Sequence, residues 1–362
     1  MLVVGARPNL IKVAPIIHAM EQSGCFAPEL VHTGQHYDPA MSDVFFKDLG
    51  IGTEAINLGV GSGSHAVQTG AVMTGLEALI SKQRPRIVFT FGDVNSTLAA
   101  SIVAAKTGVP QAHVEAGLRS GDASMPEEVN RVVVDRLSDL LFTHSESANA
   151  NLVREGASSE RIHFVGNVMI DTLLRLQPRW QGAAGREFGD LPQEYGVVTL
   201  HRPANVDQPE RLHSIMRALS QIGRDLPIVF PVHPRTRRHL AGVVWPGVRL
   251  VEPLGYLVFL DLVEHARVVM TDSGGIQEEA TMLHVPCLTL RDNTERPVTV
   301  ELGTNRLVGA DPSVLPAAAG AALREPKPTG APPPLWDGHA AERVVDCARR
   351  WLDSPHPLRL SA

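Results

Sequence analysis

Short runs of β-branched and other apolar residues alternate along this chain with longer segments whose apolar positions recur every three to four residues. That alternation predicts a parallel sheet whose strands are joined by crossover helices, hence the α/β class. In the first half the short runs fall at residues 2–5, 29–33, 87–91, 111–114, 139–143 and 161–165, with helical segments at 65–83, 96–107 and 145–155. After Gly166 the rhythm pauses through a loosely patterned stretch, 177–194, which carries Pro178, Gly182, Gly185, Gly189 and Pro192. Such a pause marks a domain boundary. Strand-like runs resume at 196–200, 227–232, 248–252, 267–271 and 286–290, and a Pro-rich segment, 326–334, precedes a last amphipathic helix at 339–352. The expectation is two doubly wound Rossmann-like domains, 1–166 and 167–338, and a C-terminal helix and tail, 339–362, packing back across their junction. Open parallel sheets bind ligands beyond the carboxyl ends of their strands, so the two domains are expected to face a central cleft.

Composition narrows the function classes. At 362 residues the chain is too long for one ordinary core, and 44% hydrophobic with 20% charged residues excludes wholesale disorder and fibrous classes. With 33 basic against 39 acidic residues and a net charge of -6, the chain lacks the basic surface that phosphate-backbone binding needs. Trp180, Trp245, Trp336 and Trp351 are too scattered to form a base-stacking platform, so no nucleic-acid partner is expected. Cys25, Cys287 and Cys347 lie far apart without a CxxC pair, which argues against a disulfide framework and fits a reducing cytoplasm. No window reaches about 20 uninterrupted apolar residues, so no membrane partner is expected.

Candidate chemistry collects at the predicted strand ends. After the first strand, Gly5-Ala6-Arg7-Pro8-Asn9-Leu10-Ile11-Lys12 combines a flexible Gly, a helix-starting Pro and two cations, a plausible diphosphate contact. Thr271-Asp272-Ser273-Gly274-Gly275 opens a helix, with Ser273 as the expected N-cap and two glycines that keep side chains away from the exposed amides. Gly61-Ser62-Gly63-Ser64-His65-Ala66 matches the dinucleotide pattern GxGxxA but follows a polar loop rather than the first strand; Ser64 is better read as a helix cap. Three acids, Asp93, Glu115 and Glu127, stand at or just past neighbouring strand ends, where like charges repel and need a compensating use. From the second half, His201 and His233 end successive strands. His113 with Glu115 and His32 with His36 have spacings a metal could use, but neither pair has a third ligand at a recognisable distance, so no metal is expected.

Taken together, Gly5-Ala6-Arg7-Pro8, Gly92-Asp93, His113-Val114-Glu115-Ala116-Gly117-Leu118-Arg119, Pro126-Glu127-Glu128-Val129-Asn130-Arg131, His201-Arg202, Asp272-Ser273-Gly274-Gly275-Ile276-Gln277-Glu278-Glu279 and Thr294-Glu295-Arg296-Pro297 resemble the non-hydrolysing UDP-N-acetylglucosamine 2-epimerases, over about residues 1 to 350. The resemblance implies a glycosyltransferase-B fold and interconversion of UDP-N-acetylglucosamine and UDP-N-acetylmannosamine, by elimination of UDP to 2-acetamidoglucal and re-addition, with no cofactor. It assigns Asp93, Glu115, Glu127 and His201 to acid, base and charge-stabilising roles. Arg7, Lys12, Arg119, Arg131, His233, Ser273, Gly274 and Gly275 would hold diphosphate and sugar, Glu279 would accept from the ribose hydroxyls, and a homodimer is expected. The sequence departs from the family at Asn9, where many members have Glu, and at Met125, which replaces an aromatic. Gln35-His36-Tyr37-Asp38 and Thr74 stand where some bacterial members carry a Gln-His-Arg run and an Arg for allosteric substrate binding, which predicts weak or absent homotropic activation. The same chemistry on a UDP-2,3-diacetamido-glucuronic acid, a UDP-sugar glycosyltransferase, and a silent nucleotide-sugar sensor are the alternatives.

Overall fold

The structure is a computed structural model and describes residues 1–34, 45–52 and 55–354; the Gln35-His36-Tyr37-Asp38 run therefore lies outside the described residues. The chain divides into two compact units, Met1–Arg175 with the chain from Pro334 onward, and Leu176–Pro333. The division thus falls inside a helix, Val168–Trp180, rather than after Gly166, and the final helix belongs to the first unit.

The first unit carries seven parallel strands: β1 Leu2–Val4, β2 Leu30–His32, β3 Ile56–Asn57, β4 Val88–Phe91, β5 Gln111–Val114, β6 Leu140–Thr143 and β7 Ile162–Phe164, in the order 3-2-1-4-5-6-7. The strand order reverses between β1 and β4, so the loops after those two strands diverge and leave a crevice, the usual ligand position in a doubly wound sheet. One face of this sheet is sealed by Val72, Leu76 and Ile80 of the helix His65–Gln83 and Ala99, Ala100 and Val103 of the helix Asn95–Lys106, packed with Val3, Val31 and Val88. Ser64 begins the former helix and its hydroxyl accepts from the Val67 amide, as the polar-loop context predicted. On Arg7–Ser23 rests the last helix, Ala340–Asp353. The first amides of that last helix, Ala340 and Ala341, are capped by Asp171 from the helix Val168–Trp180.

The second unit carries six parallel strands: β8 Gly196–Thr199, β9 Ile228–Pro231, β10 Val248–Val251, β11 Val268–Thr271, β12 Cys287–Thr289 and β13 Asn305–Leu307, in the order 10-9-8-11-12-13. Its strands are apolar on both faces because both are covered. Val198, Phe230 and Met270 enter one core with the helix Pro209–Ile222, while their neighbours Val197, Val229 and Val269 enter the other with Leu262 and Val263. The order reverses between β8 and β11, placing His201 and Asp272-Ser273 on loops that flank the second unit's own reversal point. No described helix is long and apolar enough to cross a membrane.

Candidate active site

In the first unit the acids are built onto the loops after β4 and β5. Glu115 follows β5 directly and adopts φ 75, a left-handed conformation that costs a non-glycine residue of order 1–3 kcal/mol. The strain is held because the amides of Glu115 and Ala116 both donate to the Phe142 carbonyl at 3.0 Å. Its buried carboxylate is ion-paired with Lys12 Nζ. Gly92, at φ 64, makes that pairing possible: a Cβ there would stand 3.0 Å from Lys12 Nζ and 3.3 Å from Glu115 Oε2. Asn9 ties the loop after β1 to the same place, its Oδ1 accepting from the Gly5 and Ala6 amides and its Nδ2 donating to the Phe91 carbonyl. The Asn that departs from the family pattern is therefore a helix cap and a strap between β1 and β4.

Asp93, next to Gly92, is half-buried and accepts from Arg131 Nη2 at 2.5 Å. Arg131 also donates to Glu128 at 2.7 Å, and Glu128 takes the Ser120 and Gly121 amides at 3.0 Å each. Burial acts to raise the Glu128 carboxyl, but those amides, the Ser120 hydroxyl and Arg131 outweigh it, holding the group below the usual carboxylate range. Glu127 sits one residue earlier in the first turn of the helix Pro126–Leu137, exposed, and engages no side chain among the described residues. The structure thus brings Glu115 beside the Gly92–Asp93 loop and joins Asp93 to Glu128 through Arg131, while Glu127 stands outside these contacts.

Three of the cations expected at a diphosphate, Lys12, Arg119 and Arg131, hold carboxylates of the same unit. Lys12 is on Glu115, and Arg131 bridges Asp93 and Glu128. Arg119 donates Nε and Nη2 to Glu155, Nη2 also to Asp135 at 2.8 Å, and Nη1 to its neighbour Leu118. Every guanidinium nitrogen of Arg119 thus has an acceptor, and the side chain supports the loop after β5. Arg7 starts the first helix; its side chain lies outside the described residues.

In the second unit the organising group is Asp272, which the sequence reading did not single out. It is fully buried and receives the His201 amide (3.0 Å), the His201 Nδ1–H (2.8 Å), the Arg202 amide (3.0 Å) and Asn205 Nδ2 (3.0 Å). Burial alone would raise its carboxyl; the His201 ring and these donors more than reverse that. With Nδ1–H on Asp272, the largely exposed imidazole of His201 presents Nε2. An acid at the end of a buried strand, directly before a helix cap, was the signal that could have found it.

Ser273 occupies the N-cap of the helix Gly274–Met282, but its hydroxyl makes no capping bond, which corrects the expectation that it caps. Gly274 also has a different reason to be glycine: a Cβ there would lie 2.2 Å from Arg296 Nη1 and 2.6 Å from Glu295 Oε1. Arg296 with Glu278 and Glu295, and Arg291 with Glu295, form a buried charged cluster against the start of this helix. Glu279 is buried beside it, with Oε1 accepting from the Tyr256 hydroxyl at 2.7 Å and Oε2 lacking a hydrogen-bond partner among the described residues. Burial pushes its carboxyl up to about 7 against the Tyr256 bond, which acts the other way. His233 is exposed, and its Nδ1 accepts from the Arg235 amide to cap the helix Pro234–Leu240.

The family model for UDP-N-acetylglucosamine 2-epimerase matches residues 18–349. The chain belongs to the UDP-N-acetylglucosamine 2-epimerase family. Within this family it is 41% identical over 357 residues to the UDP-N-acetylglucosamine 2-epimerase of Methanocaldococcus jannaschii, covering 95% of this chain and 97% of that one. It is 40% identical over 314 residues to the UDP-2,3-diacetamido-2,3-dideoxy-D-glucuronate 2-epimerase of Pseudomonas aeruginosa, covering 86% and 88%. The solved M. jannaschii UDP-GlcNAc 2-epimerase in complex with UDP-GlcNAc and UDP matches with TM-score 0.89 at 39% identity, covering 96% of this chain and 99% of that chain. The two parallel sheets of this chain form the two-domain Rossmann-like glycosyltransferase-B fold.

Proposed function

We propose that this chain interconverts UDP-N-acetylglucosamine and UDP-N-acetylmannosamine by inverting sugar C2. The carrying observation is Glu115: a carboxylate held buried, in a strained conformation and ion-paired to Lys12, beside the loop that presents Asp93. The proton on C2 has no adjacent carbonyl to stabilise a carbanion, so plain abstraction is unfavourable. Departure of UDP from C1 supplies the missing driving force. As the C1–O bond breaks, positive charge grows on C1 and the ring oxygen, and nearby carboxylates stabilise it. One carboxylate removes the C2 proton, and the C–H electron pair becomes the C1–C2 double bond of 2-acetamidoglucal. Reprotonation on the opposite face and return of UDP to C1 complete the inversion with no net redox change.

Asp93, Glu115, Glu127 and His201 supply the acid, base and charge-stabilising groups in this reading. Lys12 and Arg131 hold Glu115 and Asp93 in place, and Asp272 fixes the His201 ring so that Nε2 is the working nitrogen. The nucleotide is received by the second unit. The Ser273 hydroxyl and the amides of Gly274 and Gly275 take the diphosphate, His233 after β9 assists, and Glu279 Oε2 accepts a ribose hydroxyl. The similarity to the P. aeruginosa protein supports a second reading, the same C2 chemistry on a UDP-2,3-diacetamido-glucuronate. We further infer a homodimer that works in the cytoplasm.

Incubation with UDP-N-acetylglucosamine alone, followed by proton NMR, tests the reading. The expected result is an equilibrium mixture of both epimers without any acceptor, with Glu115→Gln slowed by about 10²- to 10⁴-fold, the usual contribution of a positioned acid or base. Formation of the second epimer only when an acceptor is supplied, or none at all while the diacetamido-glucuronate turns over, would contradict it.

A further inference from the structure

His113 lies on β5, two residues before Glu115, and is fully buried. Both of its ring nitrogens face acceptors. Nδ1 is 2.6 Å from Asp135 Oδ1, and Nε2 is 2.8 Å from the Gly92 carbonyl oxygen. A carbonyl oxygen has no proton to give. Asp135 has none either: burial acts to raise its carboxyl, but His113 and Arg119 together bring it below the ordinary range. A neutral imidazole would therefore leave one nitrogen lone pair aimed at an acceptor lone pair, whereas an imidazolium donates to both.

The ring reaches one acid-bearing loop directly, through the Gly92 carbonyl, and the other through Asp135. Gly92, at φ 64, immediately precedes Asp93. The other oxygen of Asp135 accepts from the Gly117 amide at 3.0 Å, two residues past Glu115. Gly117 is itself fixed, because a Cβ there would stand 2.4 Å from the Ala148 carbonyl. The charged groups around the ring include Asp135 from the helix Pro126–Leu137, Arg119 reaching Asp135 from the loop after β5, Arg161 on the Asp135 carbonyl, the Lys12–Glu115 pair against Gly92, and Asp93 beyond Gly92.

We propose that His113 is a positioning residue for the epimerisation: a buried imidazolium that, with Asp135, clamps Gly92 and Gly117 and so fixes the loops carrying Asp93 and Glu115 relative to each other. The inference rests on the function proposed above. Misplacing a reacting group by about 1 Å costs up to ~10²-fold in rate, which sets the size of the effect.

The test uses the full chain labelled with ¹⁵N-histidine. Long-range proton–nitrogen spectra of the intact protein should show two protonated ring nitrogens for His113, as its two acceptors require. His113→Asn should lower kcat for UDP-N-acetylglucosamine about 100-fold while KM stays within about twofold. Should that variant fail to fold, Asp135→Asn keeps the shape; it should give the same kcat loss and a singly protonated His113. A bare ring nitrogen in the wild-type spectrum, or a folded variant with unchanged kcat, would overturn the clamp. A wild-type chain that does not turn over this substrate sinks the proposed function instead, and the ring spectrum alone then decides whether the clamp exists.

Discussion

Single residues in this chain carry more than one constraint, and Glu279 shows how they trade. Its burial raises the carboxyl from 4.5 to about 7, so the folded state binds a proton that the unfolded state has already lost. Stability from this group therefore falls as pH rises from about 4.5 to 7, by about 3 kcal/mol at full ionisation. A ribose hydroxyl donating to Oε2 would offset that cost by satisfying the charged form. Glu279→Gln is expected to raise the melting temperature relative to the wild type more at pH 8 than at pH 5, and to weaken UDP binding; an equal shift at both pH values would contradict the buried charge. Position was legible in the sequence: Asp93, Glu115 and His201 follow β4, β5 and β8 as their motifs predicted. Residue role was less so. Neighbours in a helix point about 100° apart, and whether Glu127 or Glu128 faces inward depends on where the helix starts; Glu128 took the Ser120, Gly121 and Arg131 bonds. Nor could the sequence pair Arg119 with Glu155, or Arg131 with Asp93, across 36 and 38 residues.

At the scale of elements, the strongly patterned strands emerged within a residue or two of expectation, because covered sheet faces keep most of their positions apolar. The two strands not anticipated are β3 and β13, both at sheet edges and only two and three residues long. β13 carries Asn305 and Arg306, whose polarity hides a strand signal. Helix ends were equally dependent on distant groups. The last helix has no side-chain cap from its own His339; Asp171 supplies it from another helix. Burial pushes the Asp171 carboxyl up to about 6 even though the Ala341 and Ala340 amides act the other way. Asp171→Ala should cost about 1–2 kcal/mol as a lost cap. Hydrogen exchange should then quicken across Ala340–Asp353 while the second unit is unchanged; unaltered exchange in that helix would show that the cap contributes nothing.

Across the whole molecule, the two units repeat one design, a parallel sheet whose order reverses once and whose chemistry gathers on the loops flanking the reversal. Glu115, Asp93 and their supports occupy one reversal, between β1, β4 and β5, and the Asp272–His201 pair and the uncapped helix start occupy the other, between β8 and β11. The amphipathic pattern of Val168–Trp180 runs through the point at which the units part, which is why the pause in the sequence did not locate it. The central claim is that the C2 proton is taken by a carboxylate and returned from solvent-exchangeable groups after UDP leaves. Turnover of UDP-N-acetylglucosamine in heavy water tests it most directly: the account predicts deuterium at C2 of both epimers, and interconversion with C2 hydrogen fully retained would contradict it.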